Sequence, residues 1–482
     1  MDRANRITCP HCSAPLKSTR GIRIGRKIKC LKCEVPFTVR PEDAELAAGV
    51  NGSRMGVVLV GTLLYLLGGT ALAYYCFTQN SRKSEKTTVA DAQQPDDTDD
   101  AATSSPFAQG LTVTVAAVEQ RKIDNAIANG VWYLKEHALP SGTWVDAAPA
   151  NQVGFASLPA LTLLECGVPA DDPIVQKAVA FVRNQVFKQK LELATYERSL
   201  AILFLDRLGD KQDEELIQRL ALCLIAGQDP IEGAWHYRSP GIARKLVPQL
   251  LEMLKDDKVS LEDWRKTALN GKTFDPGGWD NSNTQFAVLA LWVARRHHVA
   301  CDKSLALVEK HFRNTQQPSG ADPRGDNLNL DGSWLYDGGQ NSSAWPSMTC
   351  AGLLTLAIAH GVNADQKATE KPLDDPAVKK AFAMLSREIA RPGEKRGPDL
   401  YFLWSLERVG VLFNLPKIED KDWYAWGCGI LLPLQQPDGN WQDGNYYGST
   451  PVLDTSFALL FLKQANLARD LSSKLQLLAT KK

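Results

Sequence analysis

The sequence predicts an all-α fold for its carboxy-terminal two-thirds: an α6/α6 toroid of helix pairs, preceded by a small four-cysteine zinc ribbon and one transmembrane helix. Three observations carry this expectation. Two Cys-x-x-C knuckles open the chain, an uncharged apolar run follows, and from Ile123 onward amphipathic and wholly apolar helical stretches alternate. With 44% hydrophobic and 23% charged residues the 482-residue chain is not disordered throughout. Lys+Arg and Asp+Glu stand at 55 each, which argues against nucleic acid as a partner. The expected organisation is zinc ribbon 1–40, juxtamembrane segment 41–54, transmembrane helix 55–78, acidic linker 79–118 and toroid 119–482.

The first module contains Cys9-Pro10-His11-Cys12 and, seventeen residues on, Cys30-Leu31-Lys32-Cys33. That spacing places four thiolates where a tetrahedral Zn2+ can collect them. Roughly forty residues bury too little apolar surface to hold themselves together, so the metal supplies most of the folding free energy. Cys9, Cys12, Cys30 and Cys33 complete the shell, which leaves His11 a bystander and the zinc structural. On these cysteines and the strand around Phe37, the module resembles the zinc-ribbon, finger-like domains that begin many bacterial membrane proteins.

Met55 to Phe77 is free of charge. At about 1.5 Å per residue it reaches about 34 Å, enough for a hydrocarbon core of about 30 Å. Residues 1–54 hold 11 basic and 5 acidic side chains, whereas 78–110 hold 3 and 6. The basic excess and the need for reduced thiolates place the amino terminus in the cytosol. The expected location is the bacterial inner membrane, single-pass, with the toroid outside. The acidic, Ser-, Thr- and Pro-containing stretch that follows reads as a tether. Its Asp96-Asp97-Thr98-Asp99-Asp100 mimics a diphosphate-binding motif but lies outside any cavity-facing helix.

In the toroid, amphipathic outer helices are expected at Ile123–His137, Pro173–Phe187, Asp213–Ala226, Asp302–Asn314, Pro376–Arg391 and Trp423–Gln436. Apolar inner helices begin near Val153, Tyr196, Thr284, Thr349, Asp399 and Thr455. Asp172-Pro173 and Asp375-Pro376 pair an N-cap with proline at the first helical position. Turns containing Gly142/Trp144, Gly233/Trp235, Gly278/Trp279, Gly332/Trp334 and Gly439/Trp441 recur at the joints. In the fullest, Gln435 precedes Gly439 and Trp441; the amide can satisfy helix-end groups while the indole packs over them. Two further helices, Lys245–Leu254 and Ser260–Ala268, fill an insertion that reads as a lid or docking surface.

With its QW-type repeats, the stretch from Ile123 to Leu471 resembles the prenyltransferase/squalene-cyclase (terpenoid cyclase-like) repeat superfamily, in a membrane-anchored bacterial form. The resemblance implies the toroid and an isoprenoid lipid or a protein as ligand. It does not carry over the chemistry. The cyclase motif D-x-D-D-T maps onto Asp280-Asn281-Ser282-Asn283-Thr284, with Ser282 where the proton donor belongs, and a hydroxyl is far too weak an acid to protonate an alkene. Asp454-Thr455 keeps one acid. The prenyltransferase D-x-C is missing, so Cys350 and Cys428 read as packing residues. Gly427-Cys428-Gly429 is followed by Ile430-Leu431, without the Glu-Gln of a thioester site.

Candidate catalytic acids are Asp280, Asp337 and Asp454, with Tyr336, Trp404, Tyr446 and Tyr447 as stacking partners; simple helix capping by Asp280 and Asp454 stays open. Three functions remain: a toroid binding a ligand or partner, an enzyme acting on an isoprenoid lipid or a glycan, and an envelope scaffold. A deep apolar cavity, a polar groove with facing carboxylates, and a filled centre would favour the isoprenoid, the glycan and the scaffold in turn.

Overall fold

In a computed structural model, residues 3–8, 15–23, 27–29 and 36–38 are described in the amino-terminal part, and 117–145, 152–188, 194–318, 331–339, 342–365, 371–389 and 399–480 in the remainder. The four knuckle cysteines, the apolar run and most of the acidic linker lie outside the described residues. The chain divides into two compact units, Met1–Thr103 and Ser104–Lys482.

In the first unit, β1 (Arg3–Thr8) pairs antiparallel with β2 (Pro15–Arg23), and β3 (Lys27–Lys29) with β4 (Pro36–Thr38). The ladders' last pairs are Thr8↔Pro15 and Lys29↔Pro36. Each hairpin therefore encloses one Cys-x-x-C in its connection.

The second unit is helical. Its inner helices are α2 (Gln152–Glu165), α4 (Thr195–Leu208), α8 (Asn281–Ala294), α10 (Pro346–Asp365), α12 (Leu400–Leu412) and α14 (Pro451–Lys463). Each packs on the next in that order, and α14 packs on α2, closing the circle. The outer helices are α1 (Ala117–Glu136), α3 (Pro173–Lys188), α5 (Glu214–Gly227), α9 (Asp302–Thr315), α11 (Pro376–Glu388) and α13 (Trp423–Leu431). The α6/α6 toroid is thus present. α10 has the length and hydropathy of a membrane span, yet it is mostly buried in the ring.

The joints explain why the ring closes. At four of them the tryptophan indole donates to a carbonyl in the last turn of the preceding outer helix: Trp144 to Leu134 (2.6 Å), Trp235 to Leu224 (2.7 Å), Trp334 to Phe312 (2.7 Å) and Trp441 to Leu431 (2.8 Å). These are orphan carbonyls that a helix end would otherwise leave bare. At three, a glutamine amide adds two bonds at once. Gln228 donates to Gly233 and Ser304, Gln316 to Gly332 and Ala377, and Gln435 to Gly439 and Ala126, reaching each time into the next outer helix. The glycines have positive φ (86° at Gly439), and a Cβ on Gly439 would collide with the Asn129 carbonyl. Only glycine fits there.

Several details depart from the sequence expectation. Trp279 forms no corner, because no outer helix ends just before it; its ring meets that of His311 edge-on at 4.4 Å and packs on Gly338. α13 stops at Leu431 and continues as one 3-10 turn, Leu432–Leu434, where Pro433 interrupts the ladder. α11 ends at Glu388 rather than at Arg391. The insertion supplies α6 (Val247–Lys255) and α7 (Leu261–Ala268) close to the expected positions. An additional helix, α15 (Arg469–Thr480), packs on α10 and α12, with Leu471 close to Gly361 near the end of α10.

The closing corner is testable. Gln435→Ala should cost about 1–3 kcal/mol by stranding the Gly439 carbonyl and releasing the tie to Ala126, and Gly439→Ala at least about 1 kcal/mol through strain. Gly429→Ala, on an exposed helical position with open space around it, should be neutral or stabilising. Urea unfolding midpoints at constant m-value check the ranking.

Candidate functional site

Backbone bonds gather the amino-terminal ends of three inner helices with the loops around them. Thr195 N donates to Tyr237 O (2.9 Å), Asn281 N to Tyr336 O (2.8 Å) and Leu400 N to Gly444 O (3.0 Å). The result is a mouth rimmed by tyrosines. Tyr237 is 43% exposed, Trp345 40% and Tyr447 99%, while the Tyr237 and Tyr336 hydroxyls lie 3.2 Å apart.

Asp280 sits at the start of α8, buried. One carboxylate oxygen accepts from Asn283 N (2.7 Å) and the other from Asn283 Nδ2 (2.8 Å), so it caps the helix. Burial raises its pKa, and its charge in turn helps raise those of Tyr196 and Tyr336. Thr284 is a structural hydroxyl: it donates to Asp280 O (2.7 Å) and accepts from Trp235 N (3.0 Å), tying helix start to corner. Thr455 accepts from Trp441 N (3.0 Å) in the same way.

Below the rim an aromatic layer crosses the axis. Ser282 bonds both Tyr196 (2.7 Å) and Tyr401 (2.8 Å), the latter from an inner helix that is not its neighbour in the ring. Phe286, Tyr401, Trp404 and Phe457 stack around that point, with Phe286 and Trp404 at 5.0 Å and Trp404 and Phe457 at 4.9 Å. All four are buried.

Asp454 lies in the first turn of α14. Its Oδ2 accepts from Gly444 N (3.0 Å) and Ser449 Oγ (2.7 Å), pinning the loop that carries Tyr446 and Tyr447, and its carboxylate lies beside the Tyr446 hydroxyl. Burial raises its pKa. Asp337 is placed differently: its carboxylate accepts from Gly339 N (2.9 Å) in its own half-buried turn, which is a turn-forming role.

A further acid at the mouth is Asp399, which the sequence marks only as the start of an apolar helix. Asp399 caps α12 through Phe402 N (2.9 Å), and burial, reinforced by the nearby Asp454 carboxylate, lifts its pKa to about 6. The only local signal was an aspartate directly before an apolar helix; its partner lies 55 residues away in sequence. Asp399 is poised to hold or release a proton near neutral pH. The mouth thus offers neutral phenol donors, aromatic faces and carboxyl groups, a combination suited to hydrogen-bonding a hydroxylated or amide-bearing ligand. Among the described residues no cluster of three or more metal-ligating side chains occurs.

No protein-family model matches the chain, and no curated protein matches it either. Solved structures do. The type II terpene cyclase MstE from Scytonema is 15% identical, with a TM-score of 0.41, over 73% of this chain and 99% of its own. The GH76A alpha-1,6-mannanase from Salegentibacter sp. is 11% identical, with a TM-score of 0.45, over 71% and 98%.

The Asp399 titration has a defined sign. Its folded pKa of about 6 exceeds the unfolded value of about 3.9. The folded state therefore binds the proton more tightly, and stability falls as pH rises from about 4 through 6. Asp399→Asn keeps a capping side chain and removes the titration. Relative to the wild type, it should gain up to roughly 3 kcal/mol between pH 4 and pH 7, read from denaturant unfolding at each pH.

Proposed function

We propose that this chain is a membrane-anchored toroid that binds a ligand at its tyrosine-rimmed mouth and performs neither terpene cyclisation nor prenyl transfer at its centre. The observation that carries this reading is Ser282. It occupies the position of the cyclase proton donor, and its hydroxyl is bonded to Tyr196 and Tyr401. Buried aromatic rings take up the axis where a folded polyene would need space. A hydroxyl held between two phenols supplies no proton to an alkene.

The anchor is the apolar run 55–78, with the zinc ribbon in the bacterial cytosol and the toroid outside. Two antiparallel hairpins, each joined by one Cys-x-x-C, fit a four-thiolate set: Cys9 and Cys12 from one connection, Cys30 and Cys33 from the other. Zinc bound there is structural. The full chain should carry about one zinc per molecule by elemental mass spectrometry. Cys12→Ser with Cys33→Ser should abolish that zinc while leaving the toroid's helical circular dichroism intact.

A second reading is favoured by one pair of groups. Asp454 helps raise the pKa of Asp399 to about 6 at the mouth, and glycan chemistry uses paired carboxyl groups of different acidity to split acid and base roles. Identification of the compound retained by the full chain on purification tests both. Mass spectrometry should find it in the wild type, with retention cut at least about tenfold in a Tyr237→Ala/Tyr447→Ala double variant, as expected for loss of two aromatic contacts. A saccharide that is cleaved by the wild type but not by Asp399→Asn selects the enzymatic reading. Retention unchanged by the double variant overturns binding at the mouth.

A further inference from the structure

The axis-facing stripe of α12 runs Tyr401, Trp404, Arg408, the i, i+3, i+7 spacing of one helix face. Arg408 lies nine residues from Asp399, roughly 13 Å down the helix from the mouth. Its guanidinium carbon is 3.8 Å from the centre of the Trp404 ring. The side chain is buried, and none of Nε, Nη1 and Nη2 has a hydrogen-bond partner. Burial lowers its pKa only to about 10, so it stays a cation at neutral pH.

Glu407 and Glu165 lie close enough to support this charge electrostatically, but neither accepts a hydrogen bond from it. Glu165 spends Oε1 on Arg207 (2.5 Å). Glu407 makes no hydrogen bond through either oxygen, and burial drives it strongly toward its neutral form. Two other groups on the axis are also unspent. Trp404 Nε1 has no acceptor, and Gln285, which reaches from α8 to donate to Ser405 Oγ (3.1 Å), keeps a buried Oε1 without a donor. A guanidinium carries five N–H donors, and a buried charge whose hydrogen bonds go unmade costs several kcal/mol. Stacking on an indole face satisfies none of those donors, because it engages the plane of the cation and leaves its edge free.

We propose that Arg408, with Trp404 and Gln285, forms an interior anion site on the toroid axis that takes a small carboxylate- or phosphate-bearing group. The guanidinium edge binds two oxygens of the anion side by side, the indole N–H is available to a third acceptor, and Gln285 Oε1 receives a hydroxyl or protonated oxygen of the same ligand. The site lies deeper than the aromatic layer of Phe286, Tyr401 and Phe457 and on the side of the ring where α15 packs on α10 and α12. It is separate from the mouth and does not rest on the function proposed for it.

The test uses the full chain, titrated with sodium acetate and with inorganic phosphate at constant ionic strength, with chloride as the control. Thermal unfolding and tryptophan fluorescence are the readouts. Saturable stabilisation by one of the two oxyanions is expected, weakened at least tenfold in Arg408→Met and in Gln285→Leu. Arg408→Lys keeps the charge but loses the fork; it should weaken binding to a similar degree and serves if Arg408→Met does not fold. A phosphorylated lipid found on the delipidation-resistant wild type by native mass spectrometry, and lost in Arg408→Lys, would identify a headgroup as the source; its failure to appear beside a phosphate response would identify the free anion. A wild-type response no greater than to chloride, or an equal response in the Arg408 variants, overturns the proposal and leaves the guanidinium to water.

Discussion

A side-chain amide bonded at once to its own loop and to the neighbouring helix holds this ring shut. Gln435 is the decisive case, since Ala126 and Gly439 are 313 residues apart in sequence and both accept from its Nε2. The bond does two jobs with one group. It satisfies the Gly439 carbonyl of the turn that follows α13, and by reaching Ala126 in α1 it fixes the last outer helix against the first. The same arrangement at Gln228 and Gln316 sets α9 against α5 and α11 against α9, so part of the curvature that brings α14 onto α2 is built in at those joints. The indole beside each amide shields these bonds from water, and a buried bond lost there is costlier than one at the surface.

Closure decides what the rest of the chain can do. With the ring complete, inner-helix starts crowd at one end, and aspartates that cap helices there lose solvent, Asp280 wholly and Asp399 in part. Capping and chemistry therefore share residues: the backbone bonds that make each carboxylate useful to its helix lower its pKa, while the burial that comes with closure raises it. Burial wins at both.

What could be read in the sequence was whatever is local. Helix alternation, the Asp172 and Asp375 caps and the Gly-Trp turns all rest on residues within a few positions of one another, and the structure contains them. Trp279 misled because Gly278-Trp279 has the dipeptide of a corner without a helix end to cap. Asp399 reads only as a helix start because its distinguishing neighbour, Asp454, comes from a different helix pair. The layer across the axis was equally hidden: Tyr401 and Ser282 meet across the ring from 119 positions apart. One nonlocal feature did leave a local trace. Leu400–Leu412 reads as apolar on all sides, yet contains Glu407 and Arg408, and charged residues in a helix with no exposed face must be answered from the interior.

The separation between what closes the ring and what fills it has a consequence for function. The corner bonds join outer helices, their turns and the first residues of inner helices, whereas Ser282, Phe286, Trp404 and Arg408 project from inner helices toward the axis. Exchanging an axis residue leaves the corners intact, so the interior can change from a cavity to an aromatic plug while the toroid persists. Ser282 illustrates this: the aspartate at the start of its helix and the threonine two residues after it are kept by their bonds to the helix and to Trp235, whereas the position between them answers only to the axis. Fold and chemistry here are held by different atoms, and the mouth and the buried guanidinium have to be understood from their own contacts.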